Sequence, residues 1–308
     1  MTGLHVQLRQ LHHFLAVADE LHFGRAAARL NMTQPPLSQS IQALETELGV
    51  QLFLRTKRNV ELSPVGKAWA PHARRVIEEA AALPATARRL ARGEMGLLRL
   101  GFVSTADYGM LPPAITRFRT THPDVEITLR EATSDVQTEA VLNDELDLGL
   151  VIAPPRAALH KALVYHRLWR EPLVAVVPET WVRDGRAGFG ANPLAPSSLL
   201  AAPFILFPRR SAPVFHDLVS GYFADHGVPF SVHQEAIQMQ TIIGLVASGL
   251  GVSMVPRSLT TLKRDGAIYV PLSGRVPEVE TGLIWRRDNK AATVRNFVSS
   301  VSDLQALD

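Results

Sequence analysis

The sequence contains no cysteine at all. Disulfides, thiolate catalysis, cysteine-based zinc sites and thiol redox sensing are thereby excluded. No apolar run approaches the roughly 18 residues that a membrane-spanning helix needs. The opening, MTGLHVQLRQLHHF, lacks a basic segment followed by an apolar one, so no secretory signal is expected. A cytoplasmic location is the default expectation. Enzyme signatures are missing too. There is no G-x-S-x-G elbow, no GK[ST] after the glycines of 244–251, and no H-E-x-x-H. His12 and His13 have no third ligand at a useful spacing, so no metal site and no cofactor are expected.

Charge is scarce and uneven. The net formal charge of +3 comes from a basic N-terminal part. Residues 1–92 hold 12 Lys+Arg against 7 Asp+Glu, and the remainder holds 20 against 22. A basic head on a slightly acidic body suits a polyanion-binding domain joined to a sensing domain. A length of 308 residues allows for two or more domains.

The densest pattern is FGRAAARLNMTQPPLSQSIQALETELG, residues 23–49. It reads as a short helix over 24–30, a break at Asn31 and a second helix. Thr33 is placed to N-cap that second helix with its side-chain oxygen. Pro35 and Pro36 fall in its first turn, where a missing N–H costs nothing. Met32 and Leu37 suit a hydrophobic staple. Leu37, Ile41, Leu44 and Leu48 form one buried stripe, and Gly49 suits the left-handed position that ends the helix. Gln34, Ser38, Gln39 and Gln42 occupy the opposite face. Such side chains can read base edges in a major groove, Gln pairing bidentately with adenine. A helical hairpin with an ordinary solvated face has the same pattern.

Around this stretch, Leu8–Leu21 reads as a first helix, with its histidines on the surface near DNA backbone. Leu52–Leu62 reads as a two-stranded wing carrying Arg55, Lys57 and Arg58 for phosphate or minor-groove contact. Ser63 and Pro64 open a long helix to about Ala91. In it Trp69, Ala73, Val76, Ala80, Leu83, Ala87 and Leu90 follow an a/d heptad spacing, which predicts pairing with the same helix of a second subunit. Pro84 lies within it and should bend the helix or remove one backbone bond, and Gly93–Gly96 reads as a hinge. From Leu97 the order β-α-β-α-β implies a parallel sheet. A second α/β unit follows over about 168–271, and residues 272–308 return to the first, with crossovers near Leu168 and Tyr269.

Residues 8–66 closely resemble the DNA-binding domain of LysR-type transcriptional regulators. The shared features are Ala26–Ala27, the SQPP-like Thr33–Pro36, Leu44–Glu45, the LFxR of Leu52–Arg55, and the L[ST]xxG of Leu62–Gly66. Gln39 and Gln42 stand where many members carry arginine. The resemblance implies a winged helix-turn-helix domain (1–62), a linker and dimerisation helix (63–92), and an α/β periplasmic-binding-protein-like effector domain (93–308) of two subdomains, about 97–167 plus 272–308 and about 168–271. It implies a homodimer through the linker helix, a homotetramer, a double-stranded DNA operator, RNA polymerase as a further candidate partner, and no enzyme activity. Thr33, Gln34, Pro35, Ser38, Gln39, Gln42, Arg55, Lys57 and Arg58 are the expected DNA-binding residues.

GFVSTADYGMLP, FPRRSAPVF and GLVASGLGVSMVP resemble the branch that regulates benzoate and catechol catabolism. In that branch the positions matching Thr105 and Ser134 bind an effector carboxylate, and a basic residue stands where Ile152 does here. Ser104, Thr105, Ser134, Phe207, Pro208, Arg209 and Met239 are the expected contacts for a small anionic effector, aromatic or unsaturated. They lie near strand ends, where α/β units bind ligands. A solute-binding protein or small-molecule enzyme whose N-terminal helices serve only oligomerisation is the competing reading.

Overall fold

The computed structural model describes residues 6–55, 59–154, 159–186 and 188–305. The chain divides into two compact units, residues 1–88 and 89–308.

In the first unit, α1 (Leu8–Glu20), α2 (Phe23–Arg29) and α3 (Gln34–Leu48) pack around Phe14, Val17, Leu37, Ile41 and Leu44. Ala26 and Ala27 are buried, and side chains that small let the helices close on one another. Strands β1 (Phe53–Arg55) and β2 (Val60–Leu62) pair antiparallel as the wing. Phe14 meets Trp69 edge-on at 4.8 Å and Phe53 at 5.5 Å, joining α1, the wing and the long helix α4 (Pro64–Arg92). Ser63 caps α4. Its Oγ accepts from the Gly66 N–H at 2.9 Å and donates to the Gln51 carbonyl at 2.7 Å. A Cβ on Gly66 would collide with the Leu52 carbonyl, which explains the L[ST]xxG pattern.

The expected seam along α4 divides. Trp69, half-buried, packs on the first unit's core, and Ala73 is buried in it. Val76 is 43 %, Leu83 64 % and Leu90 50 % exposed, and these remain as an uncovered apolar stripe. The expected hinge at Gly93–Gly96 is corrected. Gly93 is buried at φ 67°, and a Cβ there would come within 2.6 Å of Ala292 and Thr293 backbone atoms. The Asn296 side chain also donates to the Arg92 carbonyl at 2.9 Å. The turn is therefore pinned to the C-terminal helix.

The second unit begins with β3 (Met95–Phe102), parallel to β4 (Asp124–Glu131) and β5 (Leu148–Ile152). Helices α5 (Leu111–Thr121) and α6 (Ser134–Leu142) make the crossovers. Next comes β6 (Leu163–Pro178), 16 residues long and longer than the run 168–177 suggests. After it come two short helices, α7 (Glu179–Arg183) and α8 (Pro196–Leu200), which the sequence reading does not contain. Then follow β7 (Ile205–Leu206), α9 (Pro213–Asp225), β8 (Gln234–Glu235), α10 (Met239–Ala247), β9 (Ser253–Pro256), β10 (Ala267–Val270), β11 (Glu278–Arg286) and α11 (Ala292–Gln305).

The first half of β6 pairs with β11, and its second half pairs with β9 and β10. One strand thus passes through both halves of the unit. Each half has its own core, one around Phe118 and Phe297, the other around Phe204 and Phe223. The return crossover follows Val270, next to Tyr269, which is paired with Val176 inside β10. Among the described residues no helix is long and apolar enough to cross a membrane.

Candidate functional site

Helix α3 buries Leu37, Ile41 and Leu44 and leaves Gln34, Pro35, Gln39 and Gln42 exposed, with Ser38 half-buried. Thr33 holds the extended N-cap conformation, but its hydroxyl makes no cap bond, contrary to expectation. A cap oxygen accepts from the second or third helical N–H. Here those positions are Pro35 and Pro36, which have none to give. The exposed Thr33 hydroxyl therefore stays free beside the glutamines. No acidic residue sits in the first turn, so the positive end of the helix dipole is uncompensated and suited to a phosphate.

The wing's Lys57 and Arg58 lie outside the described residues. Arg55 does not extend freely towards a ligand. Its Nη2 donates to Glu45 Oε2 at 3.0 Å, and its guanidinium stacks 4.8 Å over the Phe23 ring. Glu45 Oε1 accepts the Leu52 and Phe53 N–H groups at 2.8 and 3.0 Å. One carboxylate thus ties the wing's first strand to α3, which gives Leu44–Glu45 and Leu52–Arg55 a shared structural purpose. His12 is exposed. His13 instead joins α1 to α3, its Nδ1 lying 2.7 Å from Ser40 Oγ. Burial first, then Arg9 and His12, pushes the His13 pKa down from 6.5.

In the second unit a cavity of about 310 Å³ opens where several strands end. Val103–Thr105 follow β3, Glu131 ends β4 and Ala132–Ser134 follow it, Ile152 ends β5, Phe207 follows β7, and Ile237–Gln238 follow β8. Ser211, Ala212 and Phe215, at the start of α9, close it. Thr105 is buried and its hydroxyl oxygen has no hydrogen-bond partner. Ser134 Oγ accepts from the Ile152 N–H at 3.2 Å, which leaves its own hydrogen to donate. Ser134 also starts α6, whose first-turn N–H groups lack intrahelical partners. Thr105 is followed only by a three-residue 3-10 turn, so of these two hydroxyl residues only Ser134 opens a full helix. Behind the wall, fully buried Gln137 donates to the Ala132 carbonyl at 2.7 Å. Gly101 and Gly149 leave room for it. Across the unit, the Gln240 amide donates to the Tyr108 hydroxyl, linking α10 to the turn after β3.

Four of the seven expected contacts, Ser104, Thr105, Ser134 and Phe207, line this cavity. Pro208, Arg209 and Met239 do not. Arg209 is held bidentately by Asp217 at 2.7 and 2.9 Å, and that pairing lowers the Asp217 pKa. Met239 is fully buried in the core. Sequence reasoning missed Glu131, Ser211 and Phe215. The position of Glu131 as the last residue of a strand beside Ser134 was the available signal.

Two family models cover nearly the whole chain. The bacterial regulatory helix-turn-helix protein, lysR family, matches residues 8–67, and the LysR substrate binding domain matches residues 91–306. The chain belongs to the LysR family. It is 52 % identical over 298 residues to the HTH-type transcriptional regulator IlvR of Caulobacter vibrioides, covering 97 % of this chain and 98 % of that one. BenM of Acinetobacter baylyi, another HTH-type transcriptional regulator, is 34 % identical, with 87 % and 86 % covered. The crystal structure of full-length CbnR complexed with its target DNA superposes with a TM-score of 0.78 at 28 % identity, covering 97 % and 100 %.

These LysR-family relatives are transcriptional regulators, not enzymes, so the competing reading of an enzyme with oligomerising helices falls. The helix-turn-helix match contains α3 and its polar face, and the substrate-binding match contains the cavity. The likeness to the benzoate and catechol branch is slight, because the similarity to IlvR is much higher than that to BenM.

Proposed function

We propose that this LysR-family regulator binds its operator through α3 and is switched by a small carboxylate held in the cavity at the strand ends. One observation carries the effector reading: Thr105 lines a cavity of ligand size with a hydroxyl oxygen that is buried and unpartnered. A buried polar group without a partner costs about 1–3 kcal/mol, and a ligand that completes the bond recovers that cost. Ser134 and the first turn of α6 supply further donors, favouring negative charge by roughly 0.3–1 kcal/mol, and up to about 2 where partly buried. Ile152, Phe207, Phe215 and Ile237 offer an apolar wall for the rest of the molecule.

In this reading residues 1–62 bind DNA, 63–92 pair two subunits, and 93–308 sense the effector. The effector domain comprises subdomains of about 97–167 plus 272–308 and about 168–271. Pairing of effector domains adds a tetramer. Paired α3 helices then read half-sites about one helical turn, ~34 Å, apart. Ligand closure turns one half of the effector domain against the other about β6 and the 271–277 return, and this resets the spacing of the DNA heads. The protein acts in the cytoplasm, with RNA polymerase as its further partner.

Calorimetry of the full chain against a panel of small carboxylic acids tests the site. Thr105→Val and Ser134→Ala should each weaken the tightest ligand by about tenfold or more, since a hydrogen bond to a charged group contributes about 1.5–3 kcal/mol. If both variants bind that ligand as well as wild type, or if the tightest ligand has no carboxylate, the site is misassigned.

A further inference from the structure

We infer that the ligand selected by this cavity is a zwitterion, an α-amino acid with an apolar side chain, rather than a simple organic anion. The inference rests on the carboxylate-binding reading above and concerns the second charge that the ligand must carry.

The charges around the cavity motivate it. A second hollow of about 340 Å³ adjoins the first, sharing Ser134, Ile152 and Phe215 among its walls. Among the described residues lining the two, the ionisable groups are all acidic: Glu131 on the first, Asp135 and Glu139 on the second. No described lysine, arginine or histidine lines either. The nearby Arg209 and Arg210 are turned onto Asp217 and Glu235. Arg130, next to Glu131 in the chain, pairs with Glu145 at 3.1 Å.

The exposed Glu131 side chain makes no hydrogen bond or ion pair with any described residue. It ends β4 opposite Phe102, three positions before Ser134. The donors for a carboxylate and an unmatched acceptor for a cation therefore line one cavity. An anion placed on Thr105 and Ser134 would share its cavity with the unpaired Glu131 carboxylate, with Asp135 and Glu139 on the adjoining hollow. An ammonium group on the carbon next to the ligand's carboxylate answers Glu131 without moving the carboxylate from its donors. The remaining wall is apolar, which leaves an apolar side chain as the third part of the ligand. The volume lies at the small end of ligand cavities, roughly 300–1,000 Å³. Charge-assisted hydrogen bonds at both poles would fix the orientation.

The test is calorimetry on the full chain with matched pairs: L-leucine against 4-methylpentanoate, and L-phenylalanine against 3-phenylpropanoate. Within at least one pair the amino acid should bind about tenfold tighter or more, the scale of one charge-assisted hydrogen bond. Glu131→Gln should shrink that ratio to within about twofold, because the amide keeps the shape and removes the charge. Thr105→Val should weaken both members alike. If the deaminated acid binds as tightly as the amino acid and Thr105→Val weakens it, the zwitterion inference is overturned while the carboxylate reading stands. If neither member binds, or if Thr105→Val changes nothing, both are overturned.

Discussion

Glu45 shows how a single side chain can set the geometry of a DNA-binding head. Its two oxygens take two wing N–H groups and the Arg55 guanidinium. Glu45→Ala would leave those donors competing for water and should cost about 1.5–3 kcal/mol of stability, read from the urea midpoint of the full chain's first transition. His13 adds a pH dependence. Its folded pKa is depressed, so the unfolded chain takes up the proton first. The contribution is full above about 6.5 and is lost as pH falls through the lowered folded value. Wild type should therefore lose stability between pH 7.5 and 5 more steeply than His13→Gln; parallel curves would contradict the linkage. Much at this scale was legible in the sequence, and the failures have physical causes. Thr33 was found as the N-cap, yet Pro35 and Pro36 removed the donors its hydroxyl needed. Arg209 looked available for a ligand because its partner, Asp217, comes from the next helix and only the fold brings them together. Met239 sits at a helix start beside the cavity, but its side chain turns into the core.

At the scale of elements, hydrophobic periodicity located α3, β4, α6 and α10 to within a few residues, because each has one buried face and clear terminal signals. It shortened β6, whose first turn of residues, Val164–Arg167, mixes polar and apolar side chains in a strand only half covered. It also overread α4. Seven residues follow heptad spacing, but spacing alone cannot tell a side chain packed on its own domain from one awaiting a partner. Trp69 and Ala73 are the former, and Val76, Leu83 and Leu90 are the exposed remainder. The dimer seam is therefore expected to begin at Val76. Val76→Glu with Leu83→Glu should turn the assembly into smaller species in light scattering at micromolar concentration, with the helical content of the chain preserved. An unchanged oligomer would mean that the stripe is not the subunit contact.

At the scale of the molecule, the chain separates two tasks. The basic residues 1–92 carry the head that meets polyanionic DNA, and the near-neutral remainder carries a cavity whose described border is acidic. The family's fold was legible end to end, because helix signals, strand order and spaced motifs agreed. The effector was not, because its recognition depends on which hydroxyls and carboxylates face one another across residues as distant as Thr105, Glu131 and Ile237. The central claim, that the exposed face of α3 reads bases, is tested most directly by fluorescence anisotropy with wild type and Gln39→Ala. Each is titrated with DNA enriched by the purified protein and with a scrambled duplex of equal length and salt. The expected result is a loss of about 1–3 kcal/mol on the enriched site with little change on the scrambled duplex. Equal losses on both would contradict the claim and make Gln39 a backbone contact.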